Sequence, residues 1–266
     1  MNRAFLGWIA LLCGGSLVGC AEAGGGVSVS YGETARANYE KGLRELKDES
    51  YPEAMKYFAF VKSKFPFSRY ATLAELRVAD TYLAQEKYLE AIDAYKLFVK
   101  FHPTHPQVED GYAAYKVCEA YMKQIPSDWF LVPPGHEKDQ TATREALREV
   151  QNFRKTYARS PYLAKVADMD RQCVRNLADH ELYVARFYLE NDRPYATILR
   201  LEGLLNRYPD ANIDPEVMLL LGKTYLKMKK PDKARETFLA LARKYPGDHR
   251  AAKAKLYLQY LAEHRN

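Results

Sequence analysis

The chain has 266 residues, 47% of them hydrophobic and 28% charged, which is enough for a substantial core and excludes disorder throughout. With 14 Gly and 13 Pro it is neither collagen-like nor of low complexity. Its net charge is only +6, and acids are interleaved with bases, which argues against a dedicated nucleic-acid binder. Tyr is abundant, at 21, and the places where aromatic residues recur decide the fold.

At the N-terminus Arg3 precedes an apolar run from Ala4 to Cys13. A run of about ten residues suits a secretory signal and is too short to cross a bilayer. Leu17-Val18-Gly19-Cys20 resembles a bacterial lipobox. That resemblance implies a signal peptide over residues 1–19, cleavage before Cys20, and palmitate-type acyl chains on the Cys20 sulfur and the new amine. No later stretch offers 18 consecutive apolar residues, so the mature chain is expected to be anchored to a membrane without spanning it. Glycines between Ala21 and Ser30 read as a flexible leash, giving a lipidated tether over residues 20–33. Of four cysteines, only Cys118 and Cys173 then remain as thiols. A bridge between them is allowed in an oxidising compartment, but each also fits as a small buried helix residue, which is the favoured reading.

From residue 34 onward a spacing recurs: a small residue, an aromatic three places on, Ala nine further, a large apolar residue four after that, and Pro eight later. This is positions 8, 11, 20, 24 and 32 of the 34-residue tetratricopeptide repeat, a helix–turn–helix unit. Ala79, Tyr82, Ala91, Tyr95 and Pro103 fit throughout, as do Gly222, Tyr225, Ala234, Phe238 and Pro246. Three further units fit in part: Gly42, Ala54, Phe58 and Pro66, with Glu45 in the aromatic place; Cys118, Tyr121, Ala146 and Val150; and Ala185, Tyr188, Leu201 and Pro209, with Thr197 in the Ala place. Repeat 3 carries about 16 extra residues around 125–141, rich in Pro and turn formers, which reads as a loop between its two helices. No Gly and no Pro lie between Tyr162 and Asn191, so the first helix of repeat 4 is expected to run about four turns long. Asp248 to His264 reads as a polar-faced capping helix. The expected fold is therefore all-α, a solenoid of five helix pairs plus a cap, with repeats 1–3 over residues 34–160 and repeats 4–5 and the cap over 161–266.

No catalytic motif survives inspection. His180-Glu181 opens like a zinc-protease motif, but Val184 stands where the second His is required. His102 and His105 flank Pro103 in a turn and read as capping residues. No P-loop, nucleophile elbow or dinucleotide fingerprint is present, so neither an enzyme nor a cofactor or metal is expected. Solenoids act by presenting a concave surface. Positions 2, 5, 9 and 12 of each first helix line it, which nominates Tyr39, Leu43, Leu76, Asp80, Tyr112, Tyr115 and Glu119 as a groove for an extended, aromatic-bearing peptide.

Several stretches together are similar to one lipoprotein family: Phe101-His102-Pro103-Thr104-His105-Pro106, Asp139-Gln140-Thr141, Leu177 through Ala185, and Leu199-Arg200-Leu201-Glu202-Gly203 with Tyr208-Pro209. The chain resembles the BamD (ComL/YfiO) family of the β-barrel assembly machinery over essentially its whole mature length. The resemblance implies an outer-membrane, periplasm-facing scaffold that receives unfolded barrel precursors and docks on a BamA-like barrel subunit beside other lipoproteins of the machinery. It further implies that Arg200, with Glu202, contacts the barrel subunit, the guanidinium meeting a carboxylate. A pilotin-type lipoprotein that guides secretin assembly, or a cell-wall-binding structural lipoprotein, would combine the same lipobox and repeats. The residues do not distinguish client proteins, stoichiometry or the role of the repeat-3 insertion.

Overall fold

The computed structural model describes residues 29–126, 134–209 and 211–264, and among these there are twelve α-helices and no strand. α1 (Ala35–Lys47) pairs with α2 (Tyr51–Lys64), α3 (Arg69–Ala84) with α4 (Tyr88–Phe101), and α6 (Tyr112–Lys123) with α7 (Thr141–Thr156). α8 (Leu163–Glu190) pairs with α9 (Pro194–Arg207), and α10 (Asp214–Lys227) with α11 (Pro231–Lys244). A single turn, α5 (Pro106–Glu109), precedes α6, and α12 (His249–Glu263) packs on α10 and α11. Each pair rests on the next, α2 on α3, α4 on α6, α7 on α8 and α9 on α10, which is the neighbour-only packing of a solenoid.

The repeat positions explain the pairing. Phe58, Tyr95, Val150, Leu201 and Phe238, the large residues of the second helices, are wholly buried. One turn earlier on the same helices stand Ala54, Ala91, Ala146 and Ala234, also without exposure. Close approach demands small partners on the first helices: a Cβ on Gly42 would lie 2.7 Å from the Phe58 ring, and one on Gly222 would overlap the Phe238 ring. Thr197 is tolerated in the Ala place because its hydroxyl donates to the Ala185 carbonyl across the pair, at 3.3 Å.

The same turn closes repeats 1, 2, 4 and 5. Glu49, Glu86, Asp192 and Lys229 each take positive φ, between 53° and 60°, just past a first helix. The following N–H reaches back over the end of that helix, as from Ser50 to the Glu45 carbonyl (2.8 Å) and from Lys230 to the Tyr225 carbonyl (2.9 Å). Pro66, Pro103, Pro209 and Pro246 stand two residues beyond α2, α4, α9 and α11, where the chain must leave the helix.

Repeat 3 departs as its length requires. Residues 127–133 of the insertion lie outside the described residues. Its return is fixed by a 3₁₀ turn at Gly135–Glu137 and by buried Gln140, whose amide donates to the carbonyls of Gly135 (2.7 Å) and Lys138 (2.9 Å) and accepts from Thr143 (3.0 Å). His180 ties that turn to α8 through Nδ1 and the His136 carbonyl, 2.6 Å apart. α8 has 28 residues, the lengthened first helix of repeat 4. Gly111 enters α6 at φ 86°, and a side chain there would press on Ser160 and Phe153.

The expected signal peptide, Cys20 and most of the expected tether fall outside the described residues. Residues 30–32 belong to the folded body: the Tyr57 hydroxyl donates to the Ser30 carbonyl (3.1 Å), Tyr31 stacks on Phe60 at 4.0 Å, and Asn38 brackets Gly32 with two hydrogen bonds. The cap also differs in part from expectation. Lys255, Gln259 and Glu263 give it an exposed polar face, but Leu256 and Tyr260 are exposed as well.

Cys118 and Cys173 are free and buried, with the Cys173 sulfur 3.3 Å from that of Met122. Burial pushes both thiols up to about 12. The thiolate is the reactive form. An aromatic disulfide reagent at mildly alkaline pH is therefore expected to spare both in the native mature protein and to modify both once urea unfolds it. Rapid labelling without denaturant would show that the packing of α6 on α8 opens readily.

Candidate functional site

A cleft of about 560 Å³ opens between α1, α3 and α6, with Tyr51 of α2 and Tyr88 and Tyr95 of α4 also lining it. Asp80 on α3 sits at its floor. One carboxylate oxygen of Asp80 pairs with the Arg77 guanidinium one turn earlier. The other accepts from two phenols, Tyr95 of α4 and Tyr112 of α6, the latter at 3.0 Å. Desolvation first and the Asp80 charge second hold both phenols well above the ordinary tyrosine range, so they remain donors. One carboxylate thus links three helices and fixes Tyr112 at the surface of the cleft. The rim carries both signs, with Lys116 and Glu119 paired at 2.8 Å and Lys47 and Glu86 nearby.

The structure distributes the seven groove residues unevenly. Asp80, Tyr112 and Glu119 line the cleft together. Leu43 is half-buried against the core of repeats 1 and 2. Leu76 has no exposed surface and packs in the core between α3, α4 and α6, so it offers nothing to a ligand. Tyr39 is buried against Phe58 and Tyr70. Tyr115 is buried too, stacked on Tyr162 at 4.7 Å. These three correct the positional assignment: position 5 of the first helix packs against the neighbouring helices in repeats 1 to 3. Removing Tyr39 and Tyr115 would disturb packing first and any ligand second. Arg77 and Tyr95 join this site as residues that the groove positions of the repeat do not nominate. The i, i+3 pair Arg77–Asp80 was a visible cue for the first, whereas Tyr95 reads only as core.

The docking residues also occupy places the sequence did not reveal. Arg200 on α9 is not a free surface cation. Its Nη1 donates to Glu181 on α8 at 3.0 Å, and Arg207 reaches the other oxygen of the same carboxylate at 3.2 Å. Glu181 is only 11% exposed in its side chain, while Arg200 is 42% exposed. Glu202 accepts from the Tyr225 hydroxyl on α10; burial, then this carboxylate, pushes that phenol up to about 12. Beside Arg200, Tyr195 and Leu199 are exposed one turn apart on α9.

No group of three or more His, Cys, Asp or Glu side chains able to hold a metal occurs among the described residues. His105 accepts from the Gln107 N–H at the start of α5, and His102 pairs with Glu75 at 2.7 Å. No helix among the described residues is long and apolar enough to cross a membrane.

A helix-pair solenoid with a concave cleft of fixed donors and mixed charge is an interaction scaffold by architecture, a non-catalytic kind of protein. More particularly, the chain belongs to the YfiO family of outer membrane lipoproteins, which matches residues 32–241. It is 25% identical over 214 residues to the outer membrane protein assembly factor BamD of Neisseria gonorrhoeae, covering 78% of each chain. The same-named protein of Haemophilus influenzae is 28% identical over 224 residues, covering 83% of each. Among solved structures, the TPR2AB-domain:pHSP90 complex of yeast Sti1 is 13% identical, with a TM-score of 0.46 over 86% of each chain. The tetratricopeptide solenoid stands on the helix pairing described above.

Proposed function

We propose that this protein is an outer-membrane protein assembly factor, held at the membrane by acyl chains on Cys20 and facing the periplasm. In this reading unfolded β-barrel precursors enter the cleft between α1, α3 and α6. A BamA-like barrel subunit docks at α9, near Arg200, Tyr195 and Leu199, beside other lipoproteins of the machinery. The observation that carries the reading is the likeness to outer-membrane protein assembly factors, together with a family match over residues 32–241 that takes in the cleft and α9 alike. The cleft supports it physically: Tyr112 is held by Asp80 before any ligand arrives, so an incoming aromatic strand meets a preformed surface at low entropic cost.

The anchor is tested by Cys20→Ala in cells depleted of the barrel subunit. Without acyl chains the protein is expected to leave the outer-membrane fraction, as an unprocessed or soluble periplasmic form. Retention there would remove lipid on Cys20 from the reading. Partner identity is tested by affinity purification of the tagged protein from outer membranes. Recovery of a barrel subunit is expected; recovery of a secretin or of peptidoglycan in its place would favour a pilotin or a cell-wall-binding role.

A further inference from the structure

The C-terminal helices hold a second cleft, remote in sequence from the first. It lies between α10 and α12, measures about 390 Å³, and is lined by Leu226, Lys253, Leu256, Tyr257 and Tyr260. Leu256 is 65% exposed and Tyr260 54%, a large apolar surface on α12. Helical periodicity sets Lys223 on the same stripe of α10 as Leu226, and Lys253 on the stripe of Leu256 and Tyr260, while Lys230 lies beyond α10 at the N-cap of α11. None of these three lysines has an ion-pair partner among the described residues, although Lys227 and Lys244 nearby do.

Charge is distributed accordingly. Residues 211–266 contain 12 Lys and Arg against 6 Asp and Glu, a surplus equal to the whole net charge of +6. The first 210 residues are neutral, with 28 of each sign. The interleaving of signs along the sequence conceals this gathering at one end.

We propose that the α10–α12 cleft is a docking site for an acidic amphipathic segment of a partner protein. Its apolar residues would seat on Leu226, Leu256 and Tyr260, and its carboxylates would meet Lys223 on one wall and Lys253 on the other. Three observations favour that occupant. The floor is apolar and the rim is basic, so a complementary ligand is apolar on one face and acidic at its edges. The apolar residues line a cleft of about 390 Å³ between two helices, which suits a chain segment. A second copy of this protein seated cleft to cleft would oppose lysine to lysine, which disfavours a symmetric pair. The site is independent of the cleft assigned to precursors and of the surface around Arg200.

The test uses the full-length lipoprotein in detergent, with a fluorescent amphipathic peptide alternating Glu with Leu and free of aromatic residues as the probe, so that it does not imitate a barrel precursor, and a counterpart carrying Lys in place of Glu. The acidic peptide is expected to bind, more weakly as salt rises. Lys223→Glu with Lys253→Glu should reduce that affinity about tenfold or more and raise affinity for the basic counterpart, because each exposed pair contributes modestly and reversal adds repulsion. Leu256→Ser with Tyr260→Ser should weaken both peptides. Both variants alter exposed side chains, and their thermal unfolding is measured to verify the fold. Lys116→Glu with Lys123→Glu, in the first cleft, should leave the acidic peptide unaffected. Equal affinity in native protein and the Lys223→Glu, Lys253→Glu variant overturns the proposal. So does loss confined to the first-cleft variant. Vesicles of phosphatidylethanolamine with a minority of phosphatidylglycerol serve as the third probe. Binding to them that depends on Lys223 and Lys253, without binding of the acidic peptide, would reassign the surface to the membrane and also overturn the proposal.

Discussion

Asp80→Ala is expected to destabilise the protein by about 3–5 kcal/mol, the range for removing one member of a buried charged network. The carboxylate is the shared acceptor for Arg77, Tyr95 and Tyr112. Its loss leaves Arg77, only 19% exposed, without its counter-charge, and leaves a wholly buried Tyr95 hydroxyl without an acceptor. Each unsatisfied buried group contributes about 1–3 kcal/mol, so the two together account for the expected total. Asp80→Asn keeps the shape and one acceptor oxygen, and should lose about 1–2 kcal/mol less. Urea unfolding of both variants checks the order. Equal, small losses would mean that water replaces the carboxylate and that the three helices are not joined through it. The Asn variant also separates stability from binding. It remains folded while Tyr112 is held less firmly, so a labelled peptide from the terminal strand of a barrel precursor should bind it more weakly than it binds the native protein. Unchanged affinity would take Tyr112 and the first cleft out of precursor recognition.

Most of the fold was legible because the repeat is written in steric terms. Gly42 and Gly222 sit where a methyl would strike Phe58 and Phe238, and such a constraint shows at the level of single residues. The inserted loop and the long α8 were readable as simple length differences against the same frame. The face of each helix was harder. Leu76 and Asp80 are one turn apart on α3, yet one is fully buried and the other lies on the cleft floor, because α4 and α6 both converge on the Leu76 side. A four-residue spacing places side chains within one broad stripe, and only the neighbouring helices decide where that stripe passes from core to surface. Long-range polar partners were invisible for a related reason. Glu181 precedes Arg200 by 19 residues and Arg207 by 26, and nothing local marks it as the carboxylate that both arginines seek. The exposed Leu256 and Tyr260 were masked by the alternation of the cap, whose other face is polar as a solenoid end requires.

Arg200→Ala is expected to weaken binding of a BamA-like barrel subunit by about 2 kcal/mol or more, the range for truncating one side of a desolvated charge pair. The Glu181 contact alters what else the substitution does. Glu181 keeps Arg207 when Arg200 is lost, and Arg200 is 42% exposed, so solvent screening limits the loss of stability to about 1 kcal/mol. That is larger than for an ordinary surface change, and it opens a second explanation for any loss of binding: Arg200 could act only by holding α9 against α8. A double-mutant cycle separates the two. Glu181→Gln removes the internal carboxylate while keeping its shape, and Arg200→Gln removes the cation. If Arg200 serves only to position α9, the Arg200→Gln loss of affinity should vanish in the Glu181→Gln background, because the contact it maintains is already gone. If its guanidinium reaches a carboxylate on the partner, the loss should persist there at about 2 kcal/mol. Glu181→Gln alone should then bind as well as the native protein or better, since the released guanidinium no longer divides its donors between two carboxylates. Arg200→Lys should recover only part of the affinity, for an ammonium cannot present two parallel donors to one carboxylate. A fully retained affinity in folded Arg200→Gln would instead turn attention to Tyr195 and Leu199, whose exposed side chains would then hold the partner by apolar contact without a charge.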